Sequence, residues 1–338
     1  VTTVLCWRSF DLPERNTMKK IQELQQVKGD AYDYYIAGNE DTDLFEKIFL
    51  VDDIVEEICK PDKYFLIGEK GSGKTAYSVY MSKSDKINSF CSISLVENTL
   101  YQRFLNMKRQ KALELSSFKD VWINLIYLIL AEKIRKEYGE TFFSSMKYKQ
   151  LSKAIDVFYS DAFKPEFVNA FEFVDNASAS INSMMKQGLF STGTKASAET
   201  SQKYVEQSFK ISLLKIRDGF EKAFMSVNLK KPTILFVDGI DARPRDIDNE
   251  QYFECLVGLV NAVLEMNQSF LKEKQIKIML LIRPDIMYKM PVHNMNQKLR
   301  NNSVLLNWVT SYRKYIDSKL FKIADDYFMK QQDYSYEL

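Results

Sequence analysis

Apolar positions along the chain follow two rhythms: short dense runs bounded by turn residues, and longer stretches where apolar residues return every three or four positions. The runs are Tyr64 to Ile67, the alternating Ser89 to Leu95, Thr233 to Asp238, Ile276 to Ile282 and Val304 to Leu306, and they predict strands. Helical spacing predicts a short helix over Met18 to Val27 and, after an acidic tyrosine-rich stretch, another over Leu44 to Cys59. Further helices are expected over Ala76 to Met81, Phe118 to Tyr138, Tyr204 to Val227 and Tyr252 to Asn267, with a closing helix over Tyr312 to Met329. Strands that alternate with helices predict an α/β fold with a largely parallel sheet and a ligand at the carboxyl ends of its strands. Between 139 and 210 the pattern loosens, and Gly188 to Ala198 is small, polar and glycine-bearing, so this part reads as a helical insertion containing a loop. The expected organisation is a helical lead-in over 1–60, a core over 61–310 with the insertion at about 139–210, and a C-terminal helix over 311–338.

Composition narrows the function classes. The 338 residues are 46% apolar and 27% charged, ordinary for a globular protein, and the net charge of +2 offers no field for wholesale nucleic-acid binding. Local support for nucleic-acid contact is limited to Lys108-Arg109-Gln110-Lys111 and a few dispersed lysines, and such runs are usually solvated faces. The longest apolar stretch inside a helical pattern, Leu125 to Ala131, is too short to span a bilayer, so no membrane partner is expected. Cys6, Cys59, Cys91 and Cys255 form no C-x-x-C pair and His293 is the only histidine, which excludes a structural zinc set and suits a reducing, cytoplasmic compartment. The chain opens on Val1, and Val1 to Phe10 is too short and polar for a signal peptide, so the ends read as those of a fragment.

The chemistry is concentrated where the first strand ends. Gly68-Glu69-Lys70-Gly71-Ser72-Gly73-Lys74-Thr75 fits the spacing G-x-x-x-x-G-K-[ST], with an apolar run in front and helix-compatible residues from Ala76 onward. Three glycines let the backbone turn around a phosphate and aim successive N–H groups at its oxygens, with a helix N-terminus behind them. Residues 68–76 are therefore the expected nucleotide cradle, with Lys74 on the β and γ phosphates and the Thr75 hydroxyl on Mg²⁺. The metal also needs a rigid carboxylate, and Asp238 at the end of its strand fits this role, although Asp-Gly is equally a turn dipeptide. Hydrolysis requires a group that orients or deprotonates water. Gly239 follows Asp238, so the candidate is the next acid, Asp241, set against a purely structural turn residue; Glu221, Asp246 and Asp248 have no better claim. Arg283 closes the 276–282 run, where a cation would contact the γ-phosphate, the alternative being an ion pair with Asp285. Arg243 and Arg245 read first as exposed loop charges and second as fingers for a neighbouring subunit's site.

Taken together, Gly-Glu-Lys-Gly-Ser-Gly-Lys-Thr, Phe-Val-Asp-Gly-Ile-Asp and Leu-Ile-Arg-Pro-Asp resemble the motifs of P-loop ATPases of the additional-strand class, near the STAND and KAP groups and the AAA-like proteins. The likeness is greatest to bacterial P-loop ATPases of mobile elements and phage-defence loci, and it spans Tyr64 to Trp308. It implies a three-layer P-loop NTPase whose five-stranded sheet places another strand between the two phosphate-site strands. It also implies ATP and Mg²⁺ as ligands, Asp238 as metal ligand, Asp241 as second acid and Arg283 as strand-end sensor. The expected function is Mg-dependent ATP hydrolysis by a nucleotide-controlled switch or assembly module in anti-phage defence, partnered by further copies of the chain or a protein effector. Two other readings stay open: a DNA-associated AAA-like motor or clamp, and a scaffold that binds nucleotide without hydrolysis.

Overall fold

The computed structural model describes residues 23–36, 39–96, 118–144, 148–161, 213–240, 249–290, 299–307, 316 and 318–332. Helices α1 (Ala31–Ile36), α2 (Asn39–Ile48) and α3 (Asp53–Cys59) precede β1 (Phe65–Gly68), α4 (Lys74–Lys83) and β2 (Phe90–Leu95). Helices α5 (Phe118–Ser144), α6 (Lys149–Asp161) and α7 (213–226) lead to β3 (Thr233–Asp238). The chain continues through α8 (Asn249–Asn267), β4 (Ile276–Ile282), α9 (Pro284–Lys289), β5 (Ser303–Leu306) and α10 (Lys319–Met329).

The five strands form one all-parallel sheet in the order β2-β3-β4-β1-β5, so β4 lies between the strand that precedes the glycine-rich loop and the strand that ends in Asp238. Strands β1, β3 and β4 are buried along their whole length, as predominantly apolar runs require when helices cover both faces. Strand alternation divides the core. Leu235, Val237, Ile278 and Leu280 pack with α5 to α8, while Leu66, Ile234, Phe236 and Leu281 pack with α1 to α4. The layers are thus helix, sheet and helix, and among the described residues no helix is long and apolar enough to cross a membrane.

Several expected elements are corrected. Residues 23–27 are not helical, because Gln25 donates its N–H to Gln331 Oε1 at 2.7 Å and its carbonyl accepts from Tyr327 at 2.8 Å, spending on tertiary partners what a helix uses internally. The tyrosine-rich stretch is helical, as α1 and the start of α2. The single helix expected over Leu44 to Cys59 is two helices, since the Asp52 side chain caps α3 by accepting from Ile54 N–H at 3.2 Å. Helix α5 runs past Tyr138, with a break at Gly139, where φ is 74°. The closing helix starts at Lys319, capped by the Ser318 hydroxyl, which accepts from Phe321 N–H at 3.0 Å. Helix α6 falls in the stretch read from sequence as an insertion, and residues 162–212, with the glycine-bearing 188–198, lie outside the described residues.

Lys277 is a buried cation in the middle of the sheet. Its Nζ donates to the carbonyls of Ile58 and Lys60 (2.8 Å for Lys60), which ties the C-terminal end of α3 to β4. Burial lowers its pKa from 10.5 to about 8. Between those values the unfolded chain binds more protons than the folded one, so this group makes stability rise with pH. Urea unfolding midpoints are expected to climb between about pH 8 and 10 relative to a Lys277→Met variant, by on the order of 2 kcal/mol.

Candidate functional site

The loop between β1 and α4 has a geometry only glycine permits. A Cβ at Gly68 would collide with the Ser72 hydroxyl and lie 3.0 Å from Leu306 Cβ on β5. Gly71 and Gly73 take φ of 80° and 88°, the left-handed region, and Ser72 N–H closes a turn onto Glu69 O at 3.1 Å. Gly73 is the N-cap of α4 and gives it no side-chain cap. The first-turn N–H groups of α4 therefore present a positive helix end to the space over the loop. Glu69, Lys70 and Gly71 are exposed, Thr75 and Ala76 half-buried.

Lys74 is only 7% exposed and lies back across the loop, where its Nζ donates to Gly68 O at 2.8 Å and Glu69 O at 3.1 Å. Thr75 Oγ1 donates to Asp238 Oδ2 at 2.6 Å across 163 residues of sequence. Asp238 is itself 7% exposed and its other oxygen accepts from Gly239 N–H at 2.7 Å. Gly239 has φ of 84°, and a Cβ there would stand 2.9 Å from Val96 O. The turn after β3 is thereby fixed and the carboxylate aimed at α4. Among the described residues no three carboxylate, imidazole or thiol groups gather as a metal cage. Thr75 and Asp238 nonetheless form a pair of hard oxygen donors that suits a Mg²⁺ completing its shell with phosphate and water.

Arg283 stands at the end of β4, one residue past the Ile67–Ile282 pair, and so between the loop and Asp238. Its guanidinium makes a bidentate pair with Asp285, Nε to Oδ1 and NH2 to Oδ2, both at 2.9 Å. The alternative named for it from sequence is thus the arrangement present, and a phosphate contact requires the pair to open. Glu221 is engaged by Arg217 at 2.7 Å on the α7 side of the core. Asp241, Arg243, Arg245, Asp246 and Asp248 lie outside the described residues.

One part of the site was not foreseen. An apolar cavity of about 520 Å³ opens beside Gly71, Ser72 and Gly73, walled by the 27–50 segment and by Leu320, Ile323 and Phe328 of α10. Phe49 stacks on Tyr80 with ring centres 4.3 Å apart and meets Tyr77 edge-on at 5.1 Å, which stiffens the wall. Asp52 joins the three parts: it accepts from Tyr77 Oη at 2.8 Å on α4 and from Lys319 Nζ at 2.6 Å on α10. Burial, then the Asp52 contact, raises the Tyr77 phenol, which keeps it a donor. The sequence signal for this wall is the helical spacing of Leu320, Ile323, Tyr327 and Phe328 in α10, two of which, Leu320 and Phe328, remain exposed in the structure.

No family model, curated protein or solved structure matches the chain.

Proposed function

We propose that the chain is a P-loop ATPase of the additional-strand class, which binds a nucleoside triphosphate with Mg²⁺ at residues 68–76 and hydrolyses it. The observation that carries this proposal is the Thr75–Asp238 contact: two oxygen donors from distant parts of the chain meet at 2.6 Å beside an uncapped helix N-terminus, with a buried lysine alongside. The strand order, with β4 between the loop strand and the acid strand, supports it.

In this proposal the loop N–H groups and the start of α4 bind the phosphate oxygens. Lys74 exchanges the carbonyls of Gly68 and Glu69 for the β and γ phosphates. Thr75 and Asp238 would hold Mg²⁺, which would supply positive charge against the phosphates. Asp241 orients the attacking water, and Arg283 leaves Asp285 to reach the γ-phosphate. The nucleoside, taken as adenosine, occupies the apolar cavity with its base against the aromatic wall. Because that cavity joins the 27–50 segment, the loop and α10, its occupancy would set their relation and so provide a switch that a partner protein or second copy reads. A place in anti-phage defence rests on the sequence resemblance alone.

Calorimetric titration of ATP and GTP with and without Mg²⁺ tests the binding step. Saturable heat that strengthens with Mg²⁺ is expected, and none at millimolar nucleotide contradicts the proposal. Phe328→Ala is expected to weaken ATP about tenfold without loss of folding, since truncation removes apolar wall worth about 1–1.5 kcal/mol. The scaffold reading is favoured by one observation, Gly239 in the place next to Asp238, and tight binding without phosphate release would select it.

A further inference from the structure

Strand β2 is an edge of the sheet: among the described residues it pairs only with β3. Phe90 N–H donates to Pro232 O at 2.7 Å and Val96 N–H to Asp238 O at 2.8 Å. With a two-residue period, even positions bond to β3, and Cys91, Ile93 and Leu95 turn their N–H and C=O away from it. This outward edge lies in a cleft of about 980 Å³ between α1 and the end of α4 on one side and α5 on the other.

The cleft is rimmed by lysines, with Lys83, Lys133 and Lys136 on its walls and Lys230 and Lys231 also lining it. Lys83, Lys136, Lys230 and Lys231 enter no ion pair among the described residues. Glu132, also in the wall, is matched by Arg135 at 2.8 Å. Tyr35 of α1 covers the middle of the edge. Ile93 N–H donates to its hydroxyl at 3.3 Å, and Lys83 and Lys133 stand 5.8 and 6.0 Å from its ring centre.

We propose that this cleft takes an extended acidic peptide segment of a partner protein, which adds as a further strand on β2 and displaces the Tyr35 hydroxyl. Outward backbone groups at every second residue match an added strand, and the lysine rim complements carboxylates at the peptide's side-chain positions. A nucleic acid fits less well, because it has no alternating N–H and C=O groups to pair with the outward edge of β2. Tyr35 then acts as a reversible cover that satisfies an edge donor until the partner arrives. The proposal is independent of nucleotide binding.

Fluorescence anisotropy on the full chain tests it with three labelled probes: a ten-residue peptide alternating valine and glutamate, the same sequence N-methylated throughout, and a ten-nucleotide oligothymidylate. The first peptide is expected to bind, and the N-methylated one at least tenfold more weakly, since it keeps the charges and loses the N–H donors. Lys133→Glu with Lys136→Glu should also weaken binding at least tenfold at an unchanged unfolding midpoint. Tyr35→Phe should tighten it about fivefold, because no hydroxyl contact has to be displaced. No binding of the first peptide at millimolar concentration, or binding indifferent to N-methylation, overturns the proposal. Tighter binding of the oligothymidylate than of the peptide overturns it too and assigns the cleft to nucleic acid.

Discussion

Lys74→Ala is expected to lower Mg-ATP turnover at least about a hundredfold while the chain remains folded. The ammonium is buried, and in the structure it is satisfied by the carbonyls of Gly68 and Glu69 at 2.8 and 3.1 Å. Those carbonyls hold the charge beside the loop in advance, so in the proposed nucleotide complex phosphate oxygens would replace them with little reorganisation. One preorganised donor aimed at developing charge contributes about 10²–10³ in rate, or roughly 2.7–4 kcal/mol. Alanine also leaves the two carbonyls without that donor, a loss of about 1 kcal/mol each. The check is steady-state phosphate release beside a urea unfolding curve: a large fall in turnover with a small shift in midpoint is expected.

Asp238→Asn should have an effect of the same order but a different signature. Asparagine keeps the shape, and its side-chain oxygen can still accept from Thr75 or from Gly239, which now donate to Oδ2 at 2.6 Å and Oδ1 at 2.7 Å. What disappears is the negative charge at the end of β3, and with it the anionic ligand proposed for Mg²⁺. Turnover is expected to fall at least about a hundredfold, with Mg²⁺ no longer strengthening nucleotide binding. Metal-free binding should be unchanged or tighter, since a like charge facing the phosphates has gone. Titrating ATP into both proteins with and without Mg²⁺ separates these outcomes; an unaltered Mg²⁺ effect in the variant would remove Asp238 from the metal site.

What the sequence made legible was local. The run Phe65 to Ile67, the glycine spacing and the helix after it declare themselves because each needs particular residue types at particular steps, and β1, the loop and α4 follow them. Strands β3 and β4 were equally readable, since fully buried parallel strands are near-continuous apolar runs, here interrupted only by Lys277 inside β4 and by Thr233 and Asp238 at the ends of β3. Contacts between distant segments were not. The apolar cavity is assembled from the 27–50 segment and α10, which look like a lead-in and a tail until the sheet brings both to the loop. Asp52 illustrates this: its neighbours in sequence suggest a helix interior, whereas its cap role, Tyr77 and Lys319 break one expected helix into two. For Arg283, charge and position were readable but the partner was a choice between two, and Asp285 is the one engaged.

Phosphate release from ATP and GTP with Mg²⁺, in the wild type, Lys74→Ala and Asp241→Ala, with and without double-stranded DNA, is the most direct measurement of the central claim. Turnover in the wild type that is indifferent to DNA and lost in both variants is the predicted result. A wild type that releases no phosphate from either nucleotide, or a Lys74→Ala protein that turns over as fast as the wild type, would contradict it.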